Sequence, residues 1–303
     1  MGKYVVTGGA GFIGSHLCDS LLQLQHEVIA IDNLSNSKVD NLSTGVHFIE
    51  GDIRNHDLLR THLKNIDGCF HLAAIPSVVM TAAEWIDYHS INLDATINIF
   101  QHAILAGNIP VVYASSCAVY GNTETLPLHE DLMIKPISAY GVDKLTGEMN
   151  ARVATYNYHL PTFGLRFFNV YGPKQNPNSP YSGVISRFID GIQSEKTITI
   201  YGDGTQTRDF VYVDDIVSAL VFSMKMIDSK KAEVINVCRG ESIGIRQLAE
   251  TIGTILKKTP QIHFEEARSY DVKDSCGSIE NAVKKGIISK YSLHQGLEKM
   301  LLV

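Results

Sequence analysis

The sequence predicts an α/β fold, with a doubly wound parallel sheet in its first half and a smaller α/β domain in its second. Three observations carry this expectation. The chain has 303 residues, enough for two closely joined domains with an ample core. Short apolar runs alternate with longer helical ones through the first half, the pattern of a parallel sheet covered on both faces. The first apolar run, Tyr4-Val5-Val6-Thr7, passes straight into Gly8-Gly9-Ala10-Gly11-Phe12-Ile13-Gly14.

That junction is chemically specific. Gly8 permits a tight turn, and Gly11 lets backbone approach a pyrophosphate. Gly14 lets a helix starting near Phe12 pack closely on the strand, while Phe12 and Ile13 sit in the helix's first turn, where N–H groups and the positive dipole end favour phosphate. A second strand, Val28-Ile29-Ala30-Ile31-Asp32, ends in a carboxylate eighteen residues after Gly14. An acid there accepts hydrogen bonds from both adenosine ribose hydroxyls and repels a 2′-phosphate. No Arg follows in Asn33-Leu34-Ser35, so NAD is expected rather than NADP. The first half therefore reads as an NAD-binding Rossmann domain over residues 1–168.

Continuing in order, Val46–Glu50 forms a third strand, followed by Gly51-Asp52-Ile53. Asp52 and Ile53 lie where an acid and an apolar residue hold an adenine amino group and ring face. Asp52 is equally suited to cap a helix beginning near His56. A fourth strand, Cys69-Phe70-His71-Leu72, leads into Ala73-Ala74, small enough to let a nicotinamide lie close to Leu72, Ala73 and Ala74. His71, between two apolar neighbours, reads as a satisfied core histidine rather than a catalytic base. A helical stretch is expected over Ala82–Ala106, and its Asn92 must satisfy a buried amide on backbone or on dinucleotide phosphates.

The fifth strand, Pro110–Ala114, ends in Ser115-Ser116, and a helix is expected over Ala139–Tyr158. Tyr140 and Lys144 then share a helical face, one turn apart. An ammonium beside a phenol, with a cationic nicotinamide ring, favours the phenolate. A phenolate takes a substrate hydroxyl's proton as hydride leaves the same carbon, and Ser116 hydrogen-bonds that hydroxyl. Ser116, Tyr140 and Lys144 are the catalytic candidates.

These motifs resemble those of the extended short-chain dehydrogenase/reductases. The shared residues are Thr7–Gly14, Asp32–Leu34, Gly51–Ile53, Ser115–Gly121 and Tyr140–Lys144. In the second half they are Arg166–Pro173, Tyr201–Gly204 and Arg208–Asp215. Within that family the chain is most similar to UDP-hexose 4-epimerases. The resemblance implies NAD that stays tightly bound and is regenerated in each cycle. It also implies a UDP-sugar contact set of Ser77, Ser116, Asn169, Tyr201, Arg208, Arg268, Asp271 and Ser275. Guanidinium groups at Arg208 and Arg268 suit a diphosphate, and a carboxylate at Asp271 suits a ribose diol. Residues 169–303 are accordingly expected to be mainly a UDP-sugar-binding domain, with the chain returning to the large sheet near Val213–Val237.

Related dehydratases and decarboxylases carry a Glu before Val-Tyr-Gly, where this chain has Ala118, so simple C4 epimerisation is favoured. Ser275 stands where epimerases restricted to glucose and galactose resemble one another in a bulky Tyr. A small residue leaves room for an acetamido group, so UDP-GlcNAc/UDP-GalNAc are expected substrates beside UDP-Glc/UDP-Gal. Two alternatives share these motifs in whole or part: a UDP-glucuronate 4-epimerase, and a non-catalytic NAD-sensing regulator. The family also implies a homodimer pairing the helices at Ala82–Ala106 and Ala139–Tyr158.

Composition limits the partners. A net charge of −6 without strong clustering suggests neither nucleic acid nor an anionic membrane surface. No apolar stretch reaches membrane-spanning length, and Met1-Gly2-Lys3-Tyr4 enters a strand at once, so no signal peptide is expected. The five cysteines show no Cys-x-x-Cys spacing. They read as reduced thiols in a cytoplasmic protein, with no metal site.

Overall fold

In the computed structural model, residues 1–176, 183–268 and 271–301 are described. The chain forms two compact units. The first comprises Met1–Val119, Pro136–Arg166 and Val217–Ile235; the second comprises Tyr120–Lys135, Phe167–Ile216 and Asn236–Val303.

In chain order the elements begin with β1 (Lys3–Thr7), α1 (Phe12–Gln23), β2 (Glu27–Asp32), β3 (His47–Glu50), α2 (His56–His62) and β4 (Gly68–His71). There follow α3 (Trp85–His89), α4 (Ala95–Leu105), β5 (Val111–Ser116), α5 (Ala139–Tyr158), β6 (Thr162–Phe167) and β7 (Asn169–Tyr171). The remainder are α6 (Val184–Gln193), β8 (Ile198–Tyr201), β9 (Thr207–Tyr212), α7 (Val213–Met226), β10 (Glu233–Val237), β11 (Ser242–Gly244), α8 (Ile245–Leu256), β12 (Ile262–Glu265), α9 (Glu280–Lys284) and α10 (Leu293–Leu301).

The large sheet has the order β10-β6-β5-β4-β1-β2-β3, and the pairs β1–β2, β2–β3, β1–β4 and β4–β5 are parallel. Strands buried on both faces read as continuous apolar runs, as β1 and β2 do. Their side chains join Leu59, Ile99 and Val111 in the core. From β1 the chain winds out to β2 and β3, then crosses back to β4 on the other side. The reversal places the carboxyl ends of β1 and β4 side by side, the switch point at which such sheets bind ligands. The second unit holds two smaller sheets, β11-β9-β7 and β12-β8.

Two local expectations change, and one is resolved between its alternatives. The stretch Ala82–Ala106 is not one regular helix, because a π-helical turn at Ser90–Asp94 joins α3 to α4. It carries Asn92, whose amide accepts from Ile75 N (2.8 Å) and donates to Ile75 O (3.2 Å). Asn92 thus satisfies its amide on backbone. Asp52 does not cap α2. Asn55 does, accepting from the backbone N–H groups of Asp57 and Leu58, because it stands directly before the first helical residue.

Candidate active site

At the glycine turn, Gly8 has φ +67°, a conformation side chains avoid, and a Cβ there would lie 2.8 Å from Ala73 N. A Cβ on Gly14 would meet Gly8 O at 2.1 Å, so α1 approaches the turn as closely as backbone allows. Gly11 differs. It is extended at φ −72°, ψ 177°, and the sole neighbour of a Cβ there would be Gly8 O at 3.1 Å. No side chain caps α1 and no acid lies in its first turn. An uncapped N-terminus above an open glycine fits a diphosphate.

Asp32, at the end of β2, is buried. Its Oδ1 accepts from Leu34 N (2.9 Å) and Ser37 Oγ (2.7 Å), and its Oδ2 accepts from Ala10 N (3.1 Å). A carboxylate offers about four acceptor sites, so Oδ2 retains capacity for a ribose hydroxyl. Asn33 beside it is exposed and accepts from Ser35 N. Asp52 is held by Arg54 at 2.7 and 3.0 Å, and this pairing lowers its carboxyl below the usual range despite partial burial. Ile53 is buried beneath it, and Leu72, Ala73 and Ala74 are half-buried beyond β4. These residues fit a dinucleotide whose adenosine carries no 2′-phosphate.

His71 is a core histidine. Thr96 Oγ1 donates to Asn92 O (2.7 Å), so it accepts from His71 Nε2–H (2.9 Å), and Nδ1 then accepts from Thr7 Oγ1 (2.8 Å). Burial, reinforced by the charge of Lys144, pushes the His71 pKa down to about 3.

The three catalytic candidates come together. Ser116 Oγ accepts from Ala118 N (3.1 Å) and acts on the Tyr140 hydroxyl. Lys144 Nζ donates to Ala114 O (2.9 Å) and lies 5.7 Å from the Tyr140 ring centroid. Ser138 starts α5 by accepting from Gly141 N, and Gly141 lets that turn press against Ala118 O. Burial raises the Tyr140 phenol above its ordinary value, and its interaction with Ser116 pulls against it. Burial lowers Lys144 to about 8, opposed by the carboxylates of Asp143 and Glu148. Ser77 is buried and donates to Val79 O.

In the second unit, Asn169 Nδ2 donates to Asp209 O (2.9 Å), and Arg208 donates to Thr207 O (2.8 Å) and Lys273 O (3.2 Å). Arg268 lies over the Tyr201 ring, 3.5 Å from its centroid. Asp271 is exposed, its backbone N–H on Arg268 O (3.2 Å), while Ser269 and Tyr270 lie outside the described residues. Ser275 is buried and donates its N–H to Thr207 O (3.2 Å). It is therefore not a surface serine.

Two features of the first unit escaped the sequence reading. Asp143, beside Lys144, is buried and accepts from or pairs with His89 Nδ1 at 2.7 Å. Glu148 is buried against Arg166, with Nε at 2.9 Å and Nη2 at 2.8 Å. The signal was present: Glu148 follows Lys144 by one helical turn, and Arg166 is the one charge in the apolar run Thr162–Phe167, where burial demands a partner.

The sequence profile of the NAD-dependent epimerase/dehydratase family matches residues 4–238. A putative UDP-glucose 4-epimerase of Methanocaldococcus jannaschii is 33% identical over 299 residues, 98% of this chain and 96% of that protein. A solved UDP-N-acetylglucosamine 4-epimerase from Methanobrevibacter ruminantium, in complex with UDP-N-acetylmuramic acid, is similar at TM-score 0.93 and 36% identity, covering 99% of this chain and 96% of that one. The UDP-glucuronic acid 4-epimerase of Bacillus cereus, solved with UDP-glucuronic acid and NAD, gives 0.90 at 33%, covering 98% and 97%. A glycine turn that fits a dinucleotide and a Ser/Tyr/Lys constellation beside it agree with these matches: the chain belongs to the NAD-dependent epimerase/dehydratase family.

Proposed function

We propose that the protein interconverts UDP-hexoses at C4, using tightly bound NAD, and that UDP-GlcNAc/UDP-GalNAc are accepted with UDP-Glc/UDP-Gal. The observation that carries this reading is the buried Lys144 ammonium, one helical turn from Tyr140 and 5.7 Å from its ring centroid, with Ser116 at the end of β5 acting on the same phenol. NAD, when bound, supplies a reversible store for the hydride of C4. Tyr140 takes the proton of the C4 hydroxyl and later returns it. Ser116 holds the same oxygen in line, and the ammonium of Lys144 stabilises the phenolate by its charge. Gly8, Gly11, Phe12, Ile13 and Gly14 would hold the diphosphate, Asp32 and Asn33 the ribose, and Asp52 and Ile53 the adenine. Arg208, Arg268 and Asn169 would hold the UDP diphosphate, and Asp271 the uridine ribose. Ala118 supplies no acid for elimination, which favours epimerisation over dehydration.

The reading is tested by incubating the protein and NAD with each UDP-sugar in turn and identifying products by NMR. C4-inverted UDP-hexoses support it. Turnover of UDP-glucuronate alone would transfer the chain to a UDP-glucuronate 4-epimerase. NAD binding with no turnover of any UDP-sugar would favour a sensing role. A homodimer accompanies the proposal, because Val142, Met149, Val153 and Tyr156 form an exposed apolar stripe on α5, each about half exposed. Among the described residues no helix is long and apolar enough to cross a membrane, and a cytoplasmic location is proposed with the rest.

A further inference from the structure

Three residues read as UDP-sugar contacts, Asn169, Arg208 and Ser275, are all tied to the first half of β9. Arg208 lies on that strand, and its guanidinium donates to Lys273 O (3.2 Å). Asn169 Nδ2 donates to Asp209 O (2.9 Å). Thr207 accepts at its carbonyl from Ser275 N (3.2 Å) and donates its own N–H to Lys273 O (3.1 Å). Its hydroxyl donates to Asp274 Oδ1 (2.8 Å).

Asp209 completes this hold. It is wholly buried, and its carboxylate takes backbone N–H groups from two separate loops. Oδ1 accepts from Arg239 N (2.8 Å), and Oδ2 accepts from Gly240 N (2.9 Å) and Gly277 N (3.1 Å). Gly240 has φ +79°, a left-handed turn that brings two successive N–H groups onto one anion. Gly277 lies so close to its neighbours that a Cβ there would stand 2.5 Å from Cys238 Sγ and 2.6 Å from Phe168 Cζ. On its other edge the strip Ser275–Ser278 is held by Leu128, whose N–H donates to Cys276 O (2.8 Å) and whose carbonyl accepts from Ser278 N (2.9 Å). Ser275 is thus bonded to β9 and stands two residues from a second fixed point. Water would satisfy the same N–H groups without desolvating a charge, but it would not fix two loops to one strand.

We infer that Asp209 is a positioning residue for sugar selection: by fixing Gly277 to β9 it keeps the Ser275 side chain at the depth that admits an N-acetylated sugar. What Ser275 selects rests on the UDP-sugar reading; the anchoring by Asp209 does not.

The test uses the NAD-loaded protein and two variants. Asp209→Ala removes every acceptor, and Asp209→Asn, whose one oxygen keeps part of the set, serves if the first fails to fold. Cys276-Gly277 and Arg239-Gly240 are the sole Cys-Gly and Arg-Gly pairs in the sequence, so paired ¹³C′/¹⁵N labelling identifies both glycine amides by NMR. Calorimetry gives the affinity ratio of UDP-GlcNAc to UDP-Glc. In a folded variant whose Gly277 amide exchanges at least about 10-fold faster than in wild type, that ratio should change by at least about 3-fold. A variant that frees Gly240 alone should keep the wild-type ratio. General loosening would weaken both sugars alike, so an unmoved ratio with Gly277 freed overturns the inference. A moved ratio with Gly277 still protected overturns it too, as does wild-type protection of Gly277 in Asp209→Ala. If wild type binds neither sugar, the UDP-sugar reading fails, and Gly277 exchange alone decides whether Asp209 is the anchor.

Discussion

The guanidinium of Arg268 lies 3.5 Å from the centroid of the Tyr201 ring. Stacked this way, Arg268 keeps its N–H edge available while the ring limits its motion. Tyr201→Leu should weaken UDP binding by about 3- to 10-fold, with Tyr201→Phe close to wild type. Arg268→Met should cost roughly 10- to 100-fold. Calorimetric titration with UDP checks all three.

Tyr140→Phe should lower kcat by about 10²- to 10⁴-fold with KM changed little, since the phenol acts on the reacting proton. In wild type, kcat should rise with pH as the burial-raised phenol ionises. The rise should level off above about pH 8, because Lys144 there loses the charge that supports the phenolate as fast as further phenolate forms. A kcat–pH series from 6 to 10 checks the rise and the plateau.

His71 should make the fold acid-sensitive. Its folded pKa of about 3 lies below the ordinary 6.5, so between these values the unfolded chain binds the extra proton. The stabilisation is complete above pH 6.5 and declines as pH falls toward 3, by up to roughly 5 kcal/mol. Urea melts at pH 7 and pH 4.5 measure the decline, and ¹⁵N NMR should show His71 as the neutral Nε2–H tautomer at both.

Ser275→Tyr should reduce kcat/KM for UDP-GlcNAc by at least about 10-fold relative to UDP-Glc, because the serine is buried and a phenol would fill the space beside it. Equal effects on the two sugars would remove Ser275 as the selector.

Val153→Glu, at the centre of the exposed α5 stripe, should shift a dimer to the mass of one chain by light scattering while leaving the far-UV spectrum unchanged.

What was legible in the sequence followed backbone rules. Gly8 to Gly14 located the start of α1 at Phe12, and α5 spans Ala139–Tyr158 as expected, because Ser138 caps one end and His159 adopts the left-handed conformation at the other. Pairings across elements were not legible. Asp52 and Asn55 are both competent caps, and position relative to His56 decided between them. Nothing in the run around Asn92 announces a π-helical turn, and the partner of its amide, Ile75, lies seventeen residues away. Arg166 and Glu148 meet only because β6 lies beside β5 and under α5. The second-unit residues Arg208 and Arg268 carry no local signature that separates them from surface charges.

The glycine turn has a consequence for lineages that give up redox chemistry. Gly8 and Gly14 are demanded by the chain itself, since a Cβ at either collides with backbone whether or not anything is bound. A descendant without cofactor would have to retain both simply to fold. Gly11 is under no such demand from its conformation, and one neighbour at 3.1 Å is the whole steric objection to a side chain there. Gly11 is thus the position at which disuse would first be written. An intact outer pair with a substituted Gly11 would mark a fossil of this site rather than a working one.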